Sequence, residues 1–335
     1  MPALRLTVAV EKLPFSVPFR ITGYVFEHQD AVVVTLDDGR HQGRGEAQGV
    51  FYLNDNADGM VAAIEKHRAA LEGGLDRAAL QRLMPPGGAR NAVDCALWEL
   101  EARRAGQPAW KLAGLAPPKP LLTTFTLGAE APAVMAAGAR RYADAPALKV
   151  KLTGEPQLDR ERIEAIRAVR PDAWLGVDAN QGYTIDKLPA LVEMLLESNV
   201  AQIEQPLARG READLEGFRS PIPIYADESA LALDEVAALV GRFDGVNIKL
   251  DKAGGLTEGL AMAREAHRLG LKLMVGNMMG SSLAMAPAFL IGQLCDVVDL
   301  DGPTFLARDR TPSVTYTRGM IWCDEAVWGG GRASG

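Results

Sequence analysis

Over the first fifty residues apolar and polar positions alternate in the short period of half-buried strands: Leu4 to Val10, then Asp30-Ala31-Val32-Val33-Val34-Thr35-Leu36, a turn at Asp37-Asp38-Gly39, and Gly43 to Ala47. These predict an antiparallel meander. Between its first two strands, Pro14 to Gln29 has little periodicity and predicts a loop carrying Arg20, Tyr24, Phe26 and His28, of a length that often serves function. Val50 to Asp58, rich in Asn, Asp and aromatics, predicts a second one. From Ala57 to about Gly114 the period becomes helical, with one stripe at Met60, Ile64, His67 and Leu71 and another at Ala92, Ala96, Leu97 and Leu100 before Gly106. Pro85-Pro86-Gly87-Gly88 separates the two. A meander followed by helices predicts an α+β domain over residues 1–116, with a boundary in the proline-rich stretch Ala113 to Pro120.

Beyond that boundary apolar strands and helical stripes alternate. The predicted strands are Leu121 to Leu127, Ala147 to Leu152, Trp174 to Asp178, Val200 to Glu204, Ile224 to Asp227, Gly245 to Leu250, Lys272 to Val275 and Val297 to Asp301. Helical periodicity fills each gap, as at Ile163, Ile166, Ala168 and Val169 or at Leu188, Leu191, Leu195 and Leu196. Eight strands and seven helices predict a parallel α/β barrel over residues 117–312 with one helix missing. An open doubly wound sheet would usually stop sooner and carry a glycine fingerprint, and Gly43, Gly45 and Gly49 miss that spacing by one residue. The last segment, residues 313–335, begins with an extended stretch, Ser313 to Val327, that is expected to return to the first domain. Trp328 to Gly335 is expected to be a disordered tail.

Composition narrows the class without choosing a function. With 335 residues, 48% hydrophobic and 24% charged, the chain reads as an ordinary globular protein. Its formal net charge of −7 argues against nucleic-acid or anionic-membrane partners. It has no apolar run of spanning length, and Met1-Pro2-Ala3-Leu4-Arg5 lacks the order of a signal peptide, so a cytoplasmic location is expected. Cys95, Cys295 and Cys323 are far apart, without zinc or redox spacing, and read as buried free thiols.

The chemistry gathers at the ends of the barrel strands, where such folds place their active sites. Val177-Asp178-Ala179-Asn180, Ile203-Glu204-Gln205-Pro206 and Ala226-Asp227-Glu228-Ser229 each end an apolar run with an acid. Those acids are 26 and 23 residues apart, near the roughly 30 residues of one strand-helix-strand unit, so adjacent strands would deliver Asp178, Glu204 and Asp227 to one edge. Like charges that close call for a cation, and oxygen ligands without His or Cys suit Mg²⁺ first and Mn²⁺ next. Such an ion can bind a substrate carboxylate and stabilise the dianion formed when the neighbouring carbon loses its proton. Lys149 and Lys151 share one face of the second strand and Lys249 ends the sixth, which puts amines on roughly opposite walls. A lysine base must lose part of its charge, and a neighbouring cation, here Lys149 beside Lys151, would push its pKa down. Asn180, Glu228 and Asp251 lie beside these positions, and for Glu228 and Asp251 contact with the ion and a hydrogen bond to a ligand or lysine both remain open.

Leu148-Lys149-Val150-Lys151, the three acid motifs, and Asn247-Ile248-Lys249-Leu250-Asp251-Lys252-Ala253-Gly254-Gly255 together resemble the enolase superfamily, muconate-lactonizing subgroup, over nearly the whole chain. Gly43-Arg44-Gly45-Glu46-Ala47 and the helix around Asn91 to Glu101 resemble it too. The resemblance implies a (β/α)₇β TIM-like barrel under an N-terminal α+β capping domain, Asp178, Glu204 and Asp227 as metal ligands, and Lys151 and Lys249 as the catalytic acid/base pair. Asp299-Leu300-Asp301-Gly302-Pro303 resembles the Asp-x-Asp motif of dipeptide epimerases, where the pair binds the substrate ammonium. Two same-face acids with no cation assigned suit that use, while a turn cap at Gly302-Pro303 is the plain alternative.

The activity implied is Mg²⁺-dependent L,L to L,D dipeptide epimerisation by two-lysine proton transfer at the α-carbon of the C-terminal residue. A cycloisomerase, an N-acylamino acid racemase and an o-succinylbenzoate synthase of the same subgroup are the alternatives. The small-molecule partner would be a dipeptide, and analogy implies a homo-oligomer. Members with a His at the end of strand seven are disfavoured by Met274-Val275-Gly276-Asn277. Specificity would lie in the capping loops at about 14–29 and 50–58, with the strand-seven loop Asn277 to Ser282, and with Arg20 and Tyr24 as candidates for substrate contact, so that either a glutamate carboxylate or an aromatic or apolar side chain could be the second residue.

Overall fold

The structure, a computed structural model, describes residues 4–21 and 24–331. Met1 to Ala3, Thr22 and Gly23 of the expected first loop, and the tail from Arg332 to Gly335 lie outside the described residues. The meander forms from β1 (Arg5–Ile21), β2 (Tyr24–Asp37) and β3 (Gln42–Ala47), paired in the order β1-β2-β3. Val32, Val34 and Leu36 point inward, as their alternation requires. Of the stretch expected as a loop, residues 14–21 and 24–29 are instead in the paired strands β1 and β2. Pairing runs from Arg5↔Asp37 to Ile21↔Tyr24, with one register shift between Pro14 and Phe19. The ladder skips residues 15–18, where Phe15 bridges to Leu306 instead, and the shift at the prolines hides the period from the sequence.

The helices α1 (Ala57–Lys66), α2 (Arg68–Glu72), α3 (Arg77–Leu83) and α4 (Gly88–Ala105) follow, with Met60, Ile64 and Leu71 buried as the first stripe predicts. Asn56 caps α1 through its side chain at Gly59 N, and Asp76 caps α3 at Ala79 N. β3 lies directly on α4. A Cβ added at Gly43 or Gly45 would stand 2.0 Å from the carbonyl oxygen of Ala96 or Ala92, so these glycines serve close packing.

After α5 (Ala109–Leu112), the predicted strand Leu121 to Leu127 is broken in two. Its first part is β4 (Leu121–Leu122) and its second is β5 (Phe125–Leu127), the first stave of the barrel. The remaining staves are β6 (Ala147–Lys151), β7 (Trp174–Asp178), β8 (Gln202–Glu204), β9 (Ile224–Ala226), β10 (Gly245–Ile248), β11 (Lys272–Val275) and β12 (Val297–Val298), all parallel and in sequence order. Thr124 N donates to Val298 O at 2.9 Å and brings the last stave back to the first. Between staves run α6 (Pro132–Arg141), α7 (Pro156–Val169), α8 (Leu188–Glu197), α9 (Leu233–Val236), α10 (Leu250–Ala253) with α11 (Leu256–Arg268), and α12 (Ser282–Gly292). One expected helix is absent among the described residues. Between β8 and β9 only the 3-10 turn Glu212–Leu215 forms, because Pro206, Gly210, Gly217 and Pro221 leave too little chain between breakers.

The end of the chain is better held than expected. β13 (Thr315–Thr317) and β14 (Met320–Trp322) make a small sheet with β4. Trp328 is then 4% exposed, its indole N–H donating to Arg44 O, while Gly329 N donates to Glu99 in α4. The aromatic anchor explains why Trp328 to Gly331 is not a loose tail. Arg90, Asp94 and Trp98, also on α4, reach Ala253, Gly254 and Thr257 of the barrel, so this helix docks the capping domain beside the strand ends.

Candidate active site

In parallel register Lys151 lies beside Asp178 and Asp178 beside Glu204, so neighbouring staves present these side chains at one level. Asp227 follows β9 by one residue and Lys249 follows β10 by one. Asp178, Glu204 and Asp227 are buried, and each offers an oxygen within 4.8 Å of the others. Unassisted, that much negative charge would be prohibitive away from water. Four lysines offset it. Lys151 Nζ is 2.6 Å from Asp178, Lys249 Nζ is 2.7 Å from Asp227, and Lys149 Nζ is 2.7 Å from Glu204 and 3.3 Å from Asp178. Lys252, which the sequence reading passed over, is 2.6 Å from the second oxygen of Asp227 and also donates to the main-chain oxygens of Asp227 and Asn247. Its only sequence signal is its place three residues after Lys249, one helical turn onward.

These pairings set the ionisation. Burial pushes the Asp178 carboxyl up, but Lys151 and Lys149 overcome it and hold the group down at about 2. Asp227 is likewise held below its ordinary range, against burial, by Lys249 and Lys252. Glu204 goes the other way, to about 8, because burial and the charge of Asp178 outweigh Lys149. Lys149 and Lys249 are raised against burial, by Asp299 with Glu204 and by Asp227 with Glu204 respectively. Three carboxylates without His or Cys suit a hard dication, and the ammonium groups now on their oxygens show the cationic charge the site demands.

Ring closure corrects two expectations. Asp299 is not free of a cation, for Lys149 Nζ lies 2.8 Å from it, across the seam that joins the last stave to the first two. Lys149, 3% exposed, therefore spends its charge on three carboxylates instead of standing free beside Lys151 or a substrate. Asp301 accepts from Thr126 N at 2.6 Å, and burial with the charge of Asp299 pushes it up to about 7. Asp251 touches none of the triad. It accepts from Gln48 N at 2.8 Å and Gly49 N at 3.0 Å, tying the capping domain to the barrel.

A cavity opens over the acids. Lys149, Lys151, Asn180, Asp227, Glu228, Lys249, Asp299 and Asp301 line its polar part, and the capping domain adds Phe19, Ile21, Gln29, Phe51 and Tyr52. Met278 and Met279, from the Asn277 to Ser282 loop after β11, also stand at its wall, as does Phe305, which had no distinguishing sequence signal. Arg20 and Tyr24 do not line it. Strand alternation turns Arg20 away from Phe19 and Ile21, to an ion pair with Glu130 at 3.0 Å. Tyr24 is 46% exposed and packs on Phe26 and Phe51, with ring centroids 6.0 and 4.7 Å away. At the end of β11, where a His was sought and not found, Gly276 leaves room for Lys249: an added Cβ would stand 2.9 Å from its Cε.

Two sequence families account for most of the length. The family described as Mandelate racemase / muconate lactonizing enzyme, N-terminal domain, matches residues 3–114, and that described as Enolase C-terminal domain-like matches residues 134–319. The chain belongs to the enolase superfamily. Within the superfamily it is 41% identical to the L-Ala-D/L-Glu epimerase of Escherichia coli (strain K12) over 313 residues, 93% of this chain and 97% of that one. An enolase family member from Agrobacterium tumefaciens with homology to dipeptide epimerases, solved with sodium and L-Ala-L-Glu, has a TM-score of 0.93 and 39% identity, covering 97% of this chain and all of the other. A dipeptide epimerase from Methylococcus capsulatus, complexed with Mg and L-Arg-D-Lys, has a TM-score of 0.89 and 30% identity, with 96% and 97% covered. The enolase-superfamily barrel and capping domain expected from the motifs are thus present, and the buried acid triad suits the kind of ion bound in the Methylococcus enzyme. No described helix is long and apolar enough to cross a membrane.

Proposed function

We propose that this enolase-superfamily chain is an Mg²⁺-dependent dipeptide epimerase that interconverts L,L and L,D forms at the α-carbon of the C-terminal residue. One observation carries the proposal: Lys151 and Lys249 sit on the two outer acids of the triad, Asp178 and Asp227, and so flank it from β6 and from the end of β10. Asp178, Glu204 and Asp227 would hold the ion. When bound, it supplies positive charge that stabilises the charge gathering on the substrate carboxylate as the α-proton leaves. With an ion held there, the Lys151 and Lys249 amines, now on Asp178 and Asp227, would be free to face the substrate. Lys151 and Lys249 then act from opposite faces, one taking the proton at Nζ while the other returns one from its own Nζ. Asp301, whose carboxyl ionises readily once a cation approaches, would seat the dipeptide ammonium, with Asp299 behind it holding Lys149. Phe51, Tyr52 and the apolar wall near Phe305 shelter the exchanging proton. The same reading makes the enzyme cytoplasmic and, by analogy, a homo-oligomer.

The test is exchange in heavy water. Pools of dipeptides and of N-acylamino acids, incubated with enzyme and Mg²⁺, are read for mass gain. Exchange of dipeptides, with Lys151→Ala and Lys249→Ala each lowering epimerisation by about 10²-fold or more, supports the proposal. Exchange of N-acylamino acids alone would discard the dipeptide assignment, and epimerisation retained near the wild-type rate in both lysine variants would remove the lysines from the mechanism.

A further inference from the structure

Among the described residues, three buried polar atoms at the cavity lack a hydrogen-bond partner: Tyr52 Oη, Asn180 Oδ1 and Glu228 Oε2. Buried groups left unpaired lower stability, and folded proteins rarely tolerate them without use. Tyr52 is the most telling of the three because it comes from the capping domain, on the 3-10 turn Phe51–Leu53, while the acids belong to the barrel. Its ring is fixed edge-on to Phe51, with centroids 5.2 Å apart, so the hydroxyl is held in place with nothing to bond. Burial and the charges of Asp227, Glu228, Asp178 and Glu204 push the phenol well above its ordinary pKa, which keeps it protonated and able to donate. The lysines nearby offer no acceptor. None of the acceptors around the cavity, the triad carboxylates, Glu228 and Asn180 included, is hydrogen-bonded to the Tyr52 hydroxyl, which leaves it free for a ligand that enters the cavity.

We propose that the Tyr52 hydroxyl donates a hydrogen bond to the C-terminal carboxylate of the bound dipeptide, making it a substrate-binding group that the capping domain lays over the triad. This rests on the dipeptide reading above, in which that carboxylate lies over Asp178, Glu204 and Asp227 between the two lysines. Tyr52 lines the same cavity as Asp227 and Glu228, and the triad comes from β7, β8 and the end of β9, whereas the ammonium end of the substrate belongs at Asp301, after β12. A substrate ammonium could not accept the bond in any case.

Tyr52→Phe removes only the hydroxyl, which has no partner in the protein, so the fold is kept. With the dipeptide that exchanges fastest in heavy water as probe, KM is expected to rise about tenfold and kcat to change less than about threefold, as for a contact already made in the ground state. Calorimetry should give an Mg²⁺ affinity within about twofold of wild type, and the melting temperature should be equal or higher, because an unpaired buried hydroxyl has been removed. An unchanged KM, or a lowered melting temperature with KM and kcat damaged alike, would overturn the assignment. Lys249→Ala is run alongside. If it loses about 10²-fold or more while Tyr52→Phe keeps the wild-type KM, only the tyrosine contact is wrong; if it epimerises near the wild-type rate, the functional reading itself has failed.

Discussion

Replacing Lys149 by Met keeps most of the side-chain volume and deletes one charge at the place where three carboxylates meet. The ammonium lies 2.7 Å from Glu204, 2.8 Å from Asp299 and 3.3 Å from Asp178, in a side chain 3% exposed. Removing one partner of a buried ion pair costs about 3–5 kcal/mol, since the other charge is left without compensation. Unfolding entropy near 2.1 cal/mol/K per residue gives about 0.7 kcal/mol/K for a chain of this length, so Lys149→Met should melt about 4–7 °C below wild type without metal. Magnesium should narrow that gap. In the wild type the ion must compete with Lys149 for Glu204 and Asp178, whereas in the variant it meets uncompensated oxygens and stabilises the fold by more at equal concentration. Differential scanning calorimetry, with chelator and then with millimolar Mg²⁺, should show the difference in melting temperature fall by about half or more. A difference below about 1 °C without metal, or one that Mg²⁺ leaves untouched, would refute the idea that Lys149 offsets the triad.

Asp301 gives a pH prediction. Its carboxyl, near 3.9 when unfolded, titrates at about 7 in the fold, so between those values the native state holds a proton that the unfolded state has released. Stability should therefore fall as pH rises through this window, and Asp301→Asn should flatten that slope in urea unfolding series; an identical slope in the variant would contradict the assignment. The same titration predicts that KM for a dipeptide falls from pH 6 to 8 in wild type and not in Asp301→Asn. At Gly276 an added methyl would press on Lys249 Cε and on the side chain of Asn247, which holds Glu204. Gly276→Ala should cost about 1–3 kcal/mol of stability and slow deuterium exchange mainly in the epimer whose α-hydrogen faces Lys249, and equal slowing of both epimers would count against that lysine's position.

The chain's own pattern was enough to find the barrel and its acids. Asp178, Glu204 and Asp227 end apolar runs where a buried strand has no structural need of charge, and the near-constant spacing of strand-helix-strand units is a local property that survives in one dimension. Lys151 and Lys249 were legible for the same reason. The partners of these charges were not. Lys149 and Asp299 are 150 residues apart and meet only because the last stave returns to the first, a closure with no local signature. The pairing of β1 with β2, which turns Arg20 away from the cavity, depends on a register shift that scrambles the period. Tyr52 reaches the acids because α4 docks one domain on the other, and Asp251 serves that docking instead of the metal centre. Sequence periodicity records which way a side chain leaves its own strand or helix; what it meets there is set by elements far along the chain, whose approach is decided by packing and charge compensation in three dimensions.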